Sequence, residues 1–100
     1  MPDNGARRFR LIASGAVIEA IRRLHRQARR EGRGDAFTAA LRQIKTRLEF
    51  QPLDAGEPAY PLAGLDLQMR SIARRPIVVQ FGVNEAMSFV VIQSVQLLGK

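Results

Sequence analysis

The spacing of apolar residues changes along this chain, and each change marks a predicted element. In Arg8–Ala13, Phe9 and Leu11 alternate with Arg8 and Arg10, which predicts a short strand with one basic face. Ser14 follows as a helix N-cap. From Gly15 to Glu31 the period becomes helical. Val17, Ile21, Leu24 and Ala28 share one stripe with Ile18 beside it, and Arg22, Arg26, Arg29, Arg30 and Arg33 fall on the opposite side. Gly32 and Gly34 predict a C-cap and a tight turn. Asp35 is the expected N-cap of a second helix. There Phe37, Leu41, Ile44 and Leu48 recur at helical spacing, the clearest such signature in the chain. A turn this short predicts an antiparallel helical hairpin.

The second half reads as strands. Gln51 to Gly64 holds Pro52, Gly56, Pro58, Pro61 and Gly64, and is expected to be an irregular loop. Within it, Tyr60 and Leu62 either start the next strand or pin the loop to the core. In Leu65–Arg74, Leu65, Leu67 and Met69 alternate with Asp66, Gln68 and Arg70, and the parity slips at Ser71–Ile72, where a bulge is expected. Ile77, Val79, Phe81 and Val83 form the next strand, Asn84 to Met87 a turn, and Ser88 to Leu98 a strand so apolar that it should be central and covered on both faces over part of its length. The expected fold is α+β, in the order β-α-α-β-β-β. An N-terminal strand leads into a two-helix hairpin packed on an antiparallel sheet, and the C-terminal three strands form a meander. A single domain spans residues 1 to 100, with residues 1 to 7 as a flexible N-terminus.

Composition narrows the chemistry. There is no cysteine, so disulfides, thiolate metal sites and cysteine nucleophiles are excluded. The start of the chain, Met1-Pro2-Asp3-Asn4-Gly5, lacks a secretory pattern, and no apolar run reaches membrane-spanning length. A cytoplasmic protein is expected. The formal net charge is +7, and it sits entirely in residues 1 to 50, mostly as arginine. That excess suits nucleic acid or an acidic protein partner.

Two basic groups stand out. Arg70, Arg74 and Arg75 lie near one strand end and are the candidate anion site, able in principle to stabilise a transition state at phosphorus. The helix-one arginines Arg22, Arg26, Arg29, Arg30 and Arg33, joined by Lys45, are the candidate surface for nucleic acid or a protein partner. No aromatic residue interleaves the helix-one stripe, so base stacking is not expected there. His25 is the sole histidine and reads as a boundary residue of the core, because no second ligand or catalytic partner is spaced for it. Tyr60 reads as a buried anchor of its loop. No carboxylate pair, glycine-rich phosphate loop, metal site or cofactor site is present in the pattern.

The apolar and basic pattern resembles the RelE/ParE superfamily of toxins from type II toxin–antitoxin systems. The matching stretches are the helix Phe37-x-x-x-Leu41-x-x-Ile44-x-x-x-Leu48 with its Pro/Gly loop and Leu67-x-x-Arg70 running to Arg74-Arg75-Pro76. The strands Ile77–Val83 and Val90–Leu98 match as well. The resemblance implies a compact toxin fold and an antitoxin partner. Its target would be messenger RNA in the ribosome or DNA gyrase. If the chain is a metal-independent endoribonuclease, Arg70, Arg74 and Arg75 would neutralise the scissile phosphate, with Lys45 or Lys100 left for proton transfer. Two departures stand against that. Gln80 occupies a position often held by arginine, and the ending Gln96-Leu97-Leu98-Gly99-Lys100 lacks the tyrosine or histidine of active members. A non-catalytic or ParE-like member, an inactive protein-binding module of the same fold, and a basic nucleic-acid-binding domain therefore stay open.

Overall fold

The computed structural model describes residues 7–99. The expected flexible start lies outside the described residues except for Arg7, as does Lys100. Arg7 is held in place: its guanidinium donates to the Glu85 carbonyl at 2.8 Å and lies 4.8 Å from the Phe9 ring centroid.

The chain builds two layers. Strand β1 (Arg10–Ala13) is followed by helices α1 (Gly15–Arg30) and α2 (Gly34–Phe50), then by strands β2 (Glu57–Leu62), β3 (Leu67–Arg74), β4 (Ile77–Asn84) and β5 (Phe89–Leu97). One sheet holds all five strands in the order β1-β5-β4-β3-β2. The α+β architecture and the helical hairpin agree with the sequence pattern. The last three strands form the expected meander.

The helices begin and end as their residues direct. Ser14 caps α1 by accepting from the Val17 amide. At the other end, Gly32 takes a φ of +75°. The Arg33 amide then reaches back to the Ala28 carbonyl and the Gly32 amide to the Arg29 carbonyl. This pair of bonds satisfies carbonyls that the helix end would leave open. Asp35 is not the cap expected of it. α2 starts one residue earlier, and Asp35 lies in the first turn, where its charge favours the positive helix end.

Phe37, Ala40, Ile44 and Leu48 of α2 are buried against the sheet, together with Ala28 of α1 and with Ile72, Ile77, Val79, Phe81, Val83, Val90 and Val95 of the strands. Each large side chain in this set contributes roughly 1.5–3 kcal/mol of burial free energy. The alternation along β4 places Ile77, Val79, Phe81 and Val83 toward the helices. Among the described residues no helix covers the opposite face of the sheet. Gly82 of that face is covered by Met69 and Leu67.

The structure corrects four expectations about the strands. β1 pairs with β5 in parallel, so the sheet is mixed rather than antiparallel. A fifth strand, β2, occupies what was expected to be loop, flanked by short 3-10 turns at Pro52–Asp54 and Ala63–Leu65. Its prolines are compatible with a strand because β2 is at the sheet edge. Tyr60 lies on this edge strand and is 51% exposed, so it is not a buried anchor. The bulge expected at Ser71–Ile72 is absent. β3 pairs with β4 in continuous register, and the register shifts fall between Pro58 and Tyr60 on β2 and between Gln80 and Phe81 on β4. β5 is an interior strand, as expected, between β1 and β4, with Phe89 and Val91 half-buried on the side away from the helices.

Candidate nucleic-acid interface

The three arginines near the β3–β4 turn do not converge. β3 alternates, so Arg70 and Arg74 share the side on which Ile72 meets the helices. Arg70 is half-buried, and its guanidinium donates to the Ala55 carbonyl at 2.8 Å and the Gly56 carbonyl at 3.3 Å. It fastens the segment after α2 to the sheet. It does not stand on an open polar face, nor does it pair with Asp66. Arg74 is exposed beside the C-terminal half of α2. Arg75 instead borders a recess with Arg33, Ala36, Pro76 and Leu98, near the start of α2.

The helix-one stripe is a solvated basic face. Arg22, Arg26, Arg29 and Arg30 are exposed, and Arg22 pairs with Glu19 at 2.8 Å. An exposed pair of this kind is worth little. Arg33 leaves the stripe: it donates to the Leu98 carbonyl at 2.7 Å and pairs with Glu31, joining the helical turn to the end of β5. His25 is half-buried between the Thr38 hydroxyl at 3.3 Å and the Phe37 ring at 5.3 Å, a boundary position in the helix pair.

A further cluster of arginines lies elsewhere, on the outer side of α2. Arg42, Thr46 and Phe50 recur at intervals of four and so form one row, with Gln43 and Arg47 in the row beside it. Together with Arg74 and Gln51 these residues line a shallow cleft of ≈ 480 Å³ that includes three arginines and no carboxylate. Arg47 is pre-positioned, because its guanidinium donates to Gln51 Oε1 at 2.7 Å and to the Asp54 carbonyl at 3.1 Å. Arg42 and Arg74 have no ion-pair partner among the described residues. A second recess, bordered by Arg47, Gly56, Glu57, Ser71 and Arg74, continues the cleft along β3.

Lys45 belongs to the other flank of α2, where it borders a recess with Arg8, Arg10 and Glu49. Arg8 links the two flanks. Its guanidinium is 3.2 Å from Glu49 and 5.8 Å from the Phe50 ring centroid. A basic band thus crosses the outside of α2 from β1 to the end of β3. Sequence reasoning missed Arg42, Arg47 and Phe50. The available signal was position: Phe50 falls two residues after Leu48, about 200° around the helix from the buried stripe.

Among the described residues no group of acidic, histidine or cysteine side chains is placed to hold a metal ion, and no helix is long and apolar enough to cross a membrane. No family model, curated protein or solved structure matches this chain.

Proposed function

We propose that this chain is a toxin-like protein of the RelE/ParE kind, directed at the translating ribosome and its messenger RNA and held in check by an acidic antitoxin. The observation that carries this reading is the cleft lined by Arg42, Arg47 and Arg74, with no carboxylate among its lining residues. Such a cleft suits a phosphate backbone, since guanidinium forks match phosphate oxygens. The strand, helical hairpin and closing meander support the same reading through the resemblance. The charge on the helical layer suits an acidic protein that would cover it.

Within this reading the geometry favours arrest by binding over cleavage of the RNA. Attack by a 2′-hydroxyl needs cations and a proton acceptor gathered at one phosphate. Here Arg70 is engaged by two carbonyls, while Arg74 and Arg75 border separate recesses. His25 is packed against Phe37.

Expression of the chain alone in a bacterial host tests the proposal. Growth should stop, and amino-acid incorporation should fall before DNA synthesis while messenger RNA stays intact. Co-expression of an acidic protein encoded beside it should restore growth, and the Arg42→Ala/Arg74→Ala variant should not arrest. Normal growth despite soluble expression of the unaltered chain would sink the toxin reading. A halt in DNA synthesis first would move the target to gyrase.

A further inference from the structure

We infer that the outer side of α2 is a binding site for single-stranded RNA, with Phe50 as the platform on which one base stacks and the flanking arginines as the backbone track. This inference rests on the reading that the basic cleft meets RNA, and it adds which form of RNA and which residue selects it.

A phenylalanine at the end of a helix, half a turn from the buried stripe, adds little to the core. Phe50 is 50% exposed. Guanidiniums surround it: Arg8 lies 5.8 Å from its ring centroid, and Arg42, Arg47 and Arg74 line the same cleft. An exposed aromatic ring flanked by guanidiniums is the arrangement that binds unpaired nucleotides, because every base has a π-face and every linkage a charge. In a duplex the base faces are already stacked and cannot reach the ring. In a single strand they are free.

The site also has direction. Arg47 is fixed by Gln51 and the Asp54 carbonyl, so one phosphate contact is pre-organised beside the ring. Arg42 and Arg74 are unpaired among the described residues and free to close on neighbouring phosphates. Thr46 and Gln43 supply neutral hydrogen-bonding groups among the lining residues of the cleft. On the far side of Phe50, Arg8, which pairs with Glu49, and Arg10 and Lys45 continue the track toward β1. A strand laid across α2 would thus meet cations on both sides of the stacked base.

Fluorescence anisotropy tests this with three labelled probes: a single-stranded RNA of about ten nucleotides, within the site sizes of small single-strand binders, its blunt duplex, and inorganic polyphosphate. The unaltered chain should bind the single strand more tightly than the duplex. Phe50→Ala should weaken the single strand roughly tenfold or more and leave polyphosphate unchanged. Phe50→Trp should keep the affinity and Phe50→Leu, which keeps bulk without a π-face, should lose it. Arg42→Ala/Arg74→Ala should weaken both single strand and polyphosphate and flatten the salt dependence, by about 0.7 in log–log slope for each lost phosphate contact. Equal affinity for duplex and single strand, or a Phe50→Ala loss shared by polyphosphate, would overturn the stacking site while leaving the phosphate cleft standing. Unchanged binding in the double arginine variant would overturn the cleft itself, and with it the reading beneath. Circular dichroism confirms that each variant is folded, which the exposure of these side chains favours.

Discussion

Arg70 and Arg74 stand on the same face of β3 with Ile72 between them, yet their guanidiniums have different work. Arg70 donates to two backbone carbonyls, so removing it leaves the Ala55 and Gly56 carbonyls without their charged donor. Arg70→Ala should lower stability by about 1.5–3 kcal/mol, read from the urea midpoint, as expected for hydrogen bonds to a charged group. Arg74→Ala removes only an exposed side chain and should leave stability within about 0.5 kcal/mol. A loss of activity in Arg70→Ala is therefore attributable to the fold, whereas one in Arg74→Ala reports on binding. Gly56 is the partner residue in this clasp. Its φ is +63°, and a Cβ there would come 2.0 Å from the Ser71 carbonyl oxygen. Gly56→Ala should therefore destabilise by more than about 1 kcal/mol, through both strain and clash, seen as a lowered thermal midpoint.

At the scale of elements, α1 carries a conflict between its own stability and its surface. Arg22, Arg26 and Arg30 follow at intervals of four, and like charges so placed repel. Arg26→Glu converts two repelling pairs into attracting ones. It should raise stability by a few tenths of a kcal/mol in low salt, while retention on immobilised heparin falls. Stability and polyanion binding moving in opposite directions is the outcome to look for in paired melting and column measurements. The elements also show which features the sequence could disclose. α1 and α2 were legible because an amphipathic helix writes its buried face at a fixed period, as Phe37, Ile44 and Leu48 do. β2 was hidden by Pro58 and Pro61, which exclude a strand interior yet suit an edge. The false bulge in β3 had another cause. Both faces of that strand bury apolar groups, Met69 on one and Ile72 on the other, so alternation could not say which face meets the helices. The basic cleft was illegible for a third reason: Arg42, Arg47 and Arg74 come from two elements, and only the packing of α2 beside β3 unites them.

For the whole molecule, the helices and sheet share one core, and Leu48 lies within it with no exposed surface. Leu48→Ala should cost about 2–5 kcal/mol, a large part of the stability of a domain this small, and should lower one cooperative transition followed equally by near- and far-ultraviolet dichroism. The two margins of the sheet have a further consequence. Among the described residues β1 has no strand on its outer side, whereas β2 places two prolines, which lack amide hydrogens, along the other margin. Growth of a fibril by strand addition needs a receptive margin at each end of every copy. Here one end is blunted by imino acids, which disfavours propagation by strand addition.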